Sequence, residues 1–209
     1  MIVAIDGLAG SGKGTLARKL SVFLGVPHLD SGKLYRSVAI TADDLGIGPD
    51  QTVELGPIIE RLGASDLDNP RLSSGRAGAL AAKYSKIPAV RAKILNVIRD
   101  FARRPDGCVV DGRDIGTVVL PNADLKLYLT ARPEVRAQRR VSELRSMGHE
   151  ISFETIFEEL KERDHADMER KISPLLPAPD AFCLDTSNLD ADGAFKAALQ
   201  LVEQKQLKS

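Results

Sequence analysis

The run Gly7-Leu8-Ala9-Gly10-Ser11-Gly12-Lys13-Gly14-Thr15 has the residue types of a loop that holds phosphate. Glycines let successive backbone N–H groups turn inward to form an anion nest. A helix behind the loop adds partial positive charge at its N-terminus, and a lysine in this place reaches the β and γ phosphates of a nucleoside triphosphate. The setting is the required one: the apolar run Ile2-Val3-Ala4-Ile5 precedes the loop, and a helical pattern over residues 15–24 follows it. All of residues 7–15 are expected to bind the nucleoside triphosphate, with the Thr15 hydroxyl addressing Mg²⁺ directly or through water. The pattern departs from the simple form at Gly14, where Ser or Thr usually follows the lysine. A dinucleotide-binding turn is the poorer reading, because nothing completes its third-glycine and acidic-partner pattern.

A phosphate loop alone leaves kinase, switch and motor open, and three further constellations narrow the choice. Asp30-Ser31-Gly32-Lys33-Leu34-Tyr35-Arg36 follows a short apolar segment, so Ser31 is expected to cap a helix and Arg36 to point back toward the same sheet edge. Val109-Val110-Asp111-Gly112-Arg113-Asp114-Ile115-Gly116-Thr117 puts Asp111 at a strand end, where phosphate-loop enzymes hold Mg²⁺ or its waters, with Arg113 two residues on. Ile156, Leu160, Arg163, Asp167 and Arg170 are spaced four, three, four and three, which makes one helical stripe that begins apolar and turns charged. Such a helix enters the core at one end and a polar cleft at the other. Asp167 is close enough on it to orient both arginines.

These residues need a scaffold, and the chain alternates strand and helix patterns. Strands are expected at 2–5, 28–30, 108–111, 125–129 and 182–185, and helices at 15–24, 34–44, 88–103 and 191–203. That alternation predicts an α/β fold: a parallel sheet with helices on both faces. Two stretches interrupt it. Residues 46–80 are rich in Gly, Pro, Ser and Asp and read as an insert with one helix at 53–62, while 132–170 is highly charged and helical. Both follow strand ends, the side of an open parallel sheet where ligands bind.

Composition bounds the rest. The 209 residues are 43% hydrophobic and 28% charged, a globular balance, and 29 Lys+Arg against 29 Asp+Glu leave no global field to attract nucleic acid or an anionic membrane. The arginines at 132, 136, 139, 140 and 145 are interspersed with Glu134 and Glu143, so a kinase lid or a solvated helix explains them better than a phosphate-tracking stripe. Cys108 and Cys183, the only cysteines, both sit in apolar strand patterns and are expected to be buried thiols in a reducing compartment. His28, His149 and His165 share no metal spacing and read as structural or surface residues. The N-terminus carries no leader pattern, and no apolar run approaches the ~18 residues of a membrane span. A cytoplasmic monomer is the expectation.

The chain resembles the bacterial cytidylate kinases, a branch of the nucleoside monophosphate kinases. The resemblance runs nearly end to end. It rests on the Gly-Ser-Gly-Lys-Gly-Thr loop, Asp-Ser-Gly-x-x-Tyr-Arg ending at Arg36, Pro88-Ala89-Val90-Arg91, residues 111–117, and Lys161-Glu162-Arg163-Asp164 with Asp167 and Arg170. It implies ATP-dependent phosphorylation of CMP and dCMP on a P-loop NTPase-like three-layer fold. The core would comprise 1–45, 86–131 and 171–209, the nucleotide-monophosphate-binding insert about 46–85, and the lid about 132–170. Ser31, Arg36 and Arg113 would hold the CMP phosphate, and Tyr35 would also bind CMP. Arg91 and Asp114 would read cytosine, and Asp167 with Arg163 and Arg170 would lie against ribose and base. Lys13, Asp111, Arg113 and Arg163 would be catalytic, and Thr15 and Asp111 would serve Mg²⁺. Ala82 stands where relatives often place a serine that touches the base. Another small P-loop kinase (for AMP, UMP or shikimate) or a nucleotide-dependent switch would share the loop and differ in the acceptor site.

Overall fold

A computed structural model describes residues 1–63, 67 and 69–207. In chain order the elements are β1 (Ile2–Gly7), α1 (Lys13–Leu24), β2 (His28–Asp30), α2 (Ser31–Asp44), α3 (Gly56–Arg61), α4 (Gly75–Tyr84) and α5 (Pro88–Ala102). They continue with β3 (Cys108–Gly112), β4 (Leu125–Thr130), α6 (Pro133–Ser146), α7 (Phe153–Glu169), β5 (Phe182–Asp185) and α8 (Ala191–Gln206). The strand order is β2-β3-β1-β4-β5, and β1 pairs in parallel with both β3 and β4, so Ile5 lies opposite Asp111 on one side and Leu127 on the other. β5 pairs in parallel with β4. This is the parallel α/β sheet that the alternating pattern predicts.

The chain divides into two compact units, residues 1–28 with 106–209, and residues 29–105. In the first unit the strand period of two splits β1: Val3 and Ile5 join Val109, Leu125, Leu127 and Leu129 against Leu16, Ala17 and Leu20 of α1 and Ala198 and Val202 of α8. Ala4 and Asp6 point to the other face. There a π-helical turn, Ile115–Val119, lies beside β1 and donates its first two N–H groups to the Asp6 carboxylate.

In the second unit α2 packs on the turn Pro70–Ser73 and on α4 through Ile40, Leu72 and Ala77. A bidentate pair between Arg71 and Asp44, both contacts 2.7 Å, and Arg76 on Asp43 at 2.6 Å close the outside of that unit. The expected single helix at 53–62 is shorter, Gly56–Arg61, with Val53 85% exposed. A second helix, α4, begins inside the stretch read as an insert with one helix. Its start is set by the Ser74 hydroxyl accepting from Ala77 N, and it buries Ala77, Ala81 and Tyr84.

Two smaller expectations are corrected. Asp30, not Ser31, caps α2: its carboxylate accepts from Lys33 N, while Ser31 occupies the first helical position. Cys183 is exposed because β5 is the sheet edge, whereas Cys108 on β3 is buried. Among the described residues no helix is long and apolar enough to cross a membrane.

β1 leaves the sheet at Gly7, where φ is +148° and any Cβ would collide with the Leu129 carbonyl of β4. Gly7→Ala is therefore expected to destabilise the protein by roughly 2–4 kcal/mol. Urea unfolding reads this directly, and an unchanged midpoint would remove the close approach as the reason for glycine.

Candidate active site

The phosphate loop is shaped by two further glycines in left-handed backbone, Gly10 (φ +74°) and Gly12 (φ +90°), the latter as the N-cap of α1. That cap makes no side-chain hydrogen bond, so no side chain competes for the first-turn N–H groups that an anion would use. The loop's carbonyls are engaged from within the protein. Leu8 O accepts from Lys13 Nζ at 3.2 Å, Ala9 O from Arg136 Nη1 at 3.1 Å, and Ser11 O from the Thr186 hydroxyl at 2.9 Å. Arg139 in turn donates to that hydroxyl at 3.0 Å and to the Thr186 and Leu189 carbonyls. With the carbonyl ends tied back, the loop has the polarity an anion requires. Ser11 Oγ is buried with no hydrogen-bond partner among the described residues.

Asp111 ends β3 beside this loop: a Cβ on Gly14 would lie 3.9 Å from its Oδ2. Its Oδ1 takes a 2.6 Å hydrogen bond from His28 Nε2. The Asp111 side chain is almost fully buried. Thr15 is exposed on the first turn of α1, with Arg18 donating to its hydroxyl at 3.4 Å. No cluster of three or more His, Cys, Asp or Glu that could hold a metal occurs among the described residues. A threonine hydroxyl and one carboxylate at a phosphate loop fit Mg²⁺, which keeps waters and binds through one or two side chains plus substrate phosphates.

Downstream of Asp111, Arg113 is fixed by Asp167, Nε to Oδ2 at 2.8 Å, and by the Gly112 carbonyl at 3.1 Å. Burial alone would raise the Asp167 pKa, but the charge and hydrogen bond of Arg113, with Arg163 and Arg170 nearby, outweigh it and hold the carboxyl below its ordinary range. Arg170 lies 3.7 Å from Asp114 and also donates to the Ser173 carbonyl. The first unit thus brings together Arg113, Asp114, Asp167 and Arg170, while Arg163 sits on the exposed side of α7. Asp167 reaches across to Arg113, and α7 ends at Glu169, so Arg170, expected to continue the helical stripe, is instead its C-cap in extended backbone.

In the second unit Arg36 on α2 donates to the Leu72 carbonyl at 3.2 Å, and Lys33 donates to Leu67 O at 3.1 Å. Ser31 is buried, Tyr35 is half-buried, and Arg91 is half-buried on the first turn of α5. Ser85 does not stand in for the serine absent at Ala82, because its hydroxyl bonds back to the Ala82 carbonyl.

Sequence reasoning misses four residues of this arrangement. Arg136, read there among the lid arginines, is only 2% exposed and supports the loop from behind. Thr186 and His28 carry no local signal, since their partners are far along the chain. Asp6, the polar end of an apolar strand, is the one with a visible cue. Its two oxygens accept from Ile115 N at 2.8 Å and Gly116 N at 2.7 Å, fixing the turn that follows Arg113 and Asp114.

A parallel sheet with a glycine phosphate loop between its central strand and first helix defines the P-loop NTPase-like α/β fold. The chain belongs to the cytidylate kinase family, whose sequence profile matches residues 3–204. It is 45% identical over 203 residues to the cytidylate kinase of Methylocella silvestris, covering 97% of this chain and 94% of that one. With the cytidylate kinase of Rhodospirillum rubrum it shares 44% identity over 213 residues, covering 100% of both. In fold it is similar to the crystal structure of a gluconokinase from Sinorhizobium meliloti, with a TM-score of 0.50 at 14% identity, covering 100% of this chain and 97% of that one.

Burial raises the Asp6 pKa from 3.8 to about 6, against the two backbone hydrogen bonds that favour its ionised form, with Asp114 adding to the rise and Arg113 opposing it. The native state therefore holds a proton that the unfolded chain releases across this window. The stability it confers is present below pH 3.8 and is lost as pH rises through about 6. The stability difference between wild type and Asp6→Asn should shift against wild type by about 2 kcal/mol from pH 4.5 to pH 7.5. Urea unfolding of both proteins at the two pH values tests this, and a difference independent of pH would place the Asp6 titration outside the window.

Proposed function

We propose that the chain transfers the γ-phosphoryl group of ATP to CMP and dCMP, giving ADP with CDP or dCDP, as a cytoplasmic monomer that acts on small molecules without nucleic acid or membrane. The observation that carries this reading is the Arg113–Asp167 pair, with Asp114 and Arg170, on the unit that bears the phosphate loop in a chain of the cytidylate kinase family. A switch or ATPase needs the loop and has no use for a second, arginine-built anion site.

In the reaction an oxygen of the CMP phosphate forms the new bond to Pγ in line with the breaking bond to the β–γ bridging oxygen, and ADP leaves with those electrons. Residues 7–15 hold the donor phosphates, and Lys13 neutralises charge at the β and γ positions. Thr15 and Asp111 would hold Mg²⁺, which supplies charge neutralisation at the transferring phosphate. Ser31, Arg36 and Arg113 hold the acceptor phosphate, with Tyr35 also binding CMP, and a guanidinium fork suits that work because it can bind two oxygens at once. Arg163 adds positive charge as the transfer proceeds, while Asp167 and Arg170 lie against the ribose and base. The acceptor is already a dianion at neutral pH, so no residue is assigned as a general base. Arg91 and Asp114 match the N3 acceptor and amino donor of cytosine, a pattern that uracil reverses.

ADP release from Mg·ATP, with CMP, dCMP, UMP, AMP or shikimate each as sole acceptor, tests the reading. Turnover with CMP and dCMP should exceed UMP by tens-fold or more in kcat/KM. Release indifferent to acceptor would mean an ATPase or switch, and preference for another acceptor would move the chain to a different small-kinase activity. Within the same assay Lys13→Ala should lower kcat by roughly 10²-fold or more, and near-normal turnover would remove Lys13 from the transferring phosphate. Arg91→Ala should raise the KM for CMP by about tenfold or more while leaving ATP nearly unaffected, as expected for loss of a charged hydrogen bond. Equal losses for both nucleotides would take Arg91 out of base recognition.

A further inference from the structure

Among the described residues Arg136 is the largest fully buried side chain, 2% exposed on a helix whose other arginines lie nearer the surface. Its planar fork is used in three directions. Nε donates to Ala131 O at 2.9 Å, where β4 turns into α6; Nη1 donates to Ala9 O at 3.1 Å in the phosphate loop; and Nη2 pairs with Asp164 Oδ2 at 2.6 Å on α7. Apolar contacts follow the same path, for Ala9 packs in one cluster with Ala137 and Val141 of α6 and Ile156 and Leu160 of α7. Gly10 completes the fit: a Cβ there would lie 3.0 Å from Arg136 Cβ and 3.1 Å from its carbonyl oxygen. The loop is thus gripped through both a side chain and a carbonyl by the two helices behind it.

Stability is a poor explanation for this ion pair. Buried pairs often break even with, or lose to, apolar residues of similar volume, and this one is imperfect, because Asp164 Oδ1 is buried with no hydrogen-bond partner among the described residues. What a charged fork supplies and an apolar pair cannot is a fixed direction for the Ala9 carbonyl. Asp164 also lies three residues before Asp167, on the same side of α7, so the helix phase set at Arg136 is the phase that carries Asp167 to Arg113.

We propose that Arg136 and Asp164 are positioning residues for phosphoryl transfer: they fix the phosphate loop through the Ala9 carbonyl and register α7 against it. The proposal rests on the kinase reading above, and its test separates the two. The test pair is Arg136→Met with Asp164→Leu, which keeps volume and removes both charges. The double variant should unfold cooperatively in urea with a midpoint at or above wild type, yet show kcat lower by roughly tenfold to a hundredfold. Its affinity for ADP by calorimetry should also fall by about fivefold or more, a readout of the loop that needs no acceptor. A double variant as stable as wild type with kcat and ADP affinity within twofold would overturn the proposal. If the double variant does not fold, Asp164→Asn, which keeps the shape, is decisive: the same losses in kcat and ADP affinity support the pair, and wild-type values for both overturn it. Absence of CMP turnover in the wild-type protein would instead sink the substrate reading, leaving ADP affinity to decide the positioning role alone.

Discussion

A loop that binds phosphate must present peptide N–H groups on its inner side, and every peptide that does so sends a carbonyl the other way. Those carbonyls are strong acceptors that cannot be left buried and unpaired. Much of the first unit follows from that requirement. Lys13, Arg136 and Thr186 each take one loop carbonyl, Arg139 holds Thr186, and Gly7, Gly10 and Gly12 supply the backbone turns that separate the two sets of dipoles. The cations behind the loop work at short range as hydrogen-bond donors and at longer range as positive charge beneath an anion.

The same economy explains a chain of zero net charge that concentrates arginine where phosphate is expected. Two of these arginines are held by an acceptor of their own unit, Arg113 by Asp167 and Arg36 by the Leu72 carbonyl. The pairing carboxylate keeps the guanidinium in one rotamer before substrate arrives, which lowers the ordering cost of binding. It does so without cancelling the site, because a diffuse guanidinium has five donors and the pair uses only part of them. Asp6 contributes through the backbone, fixing the turn after Arg113 and Asp114 with two N–H bonds and accepting a raised pKa as the consequence of burial.

What the sequence makes legible is what its neighbours in the chain determine. The strand, glycine loop and helix over residues 2–24, the strand-end position of Asp111 and the charged stripe from Ile156 to Arg170 are set by local period and turn chemistry. Pairings such as Arg136 with Ala9, Thr186 with Ser11 and His28 with Asp111 join segments far apart along the chain, and nothing in either segment names the other. Burial misleads for a related reason. Cys183 lies in an apolar strand pattern, but β5 is the edge of the sheet and the side chain is exposed. Arg136 lies in a charged helical pattern and is buried, because the carbonyls and carboxylate that satisfy it come from three other places.

His28 shows how such a distant pairing bears on the chemistry. Asp111 sits beside the phosphate loop with almost no exposed surface, and a buried carboxylate needs a hydrogen-bond donor. An arginine or lysine in the place of His28 would supply one, but its full charge would oppose any cation attracted to the same carboxylate. An imidazole N–H supplies the hydrogen bond and orients Oδ1 without adding a full charge while the ring is neutral. Gly14 belongs to the same account: the carboxylate's other oxygen faces the first turn of α1 at the position where the sequence departs from the simple loop pattern, and the hydroxyl appears one residue later at Thr15. The departure at Gly14 thus leaves the Asp111 carboxylate and the Arg18 guanidinium on the same side of the first turn of α1, with Arg18 donating to the hydroxyl at Thr15.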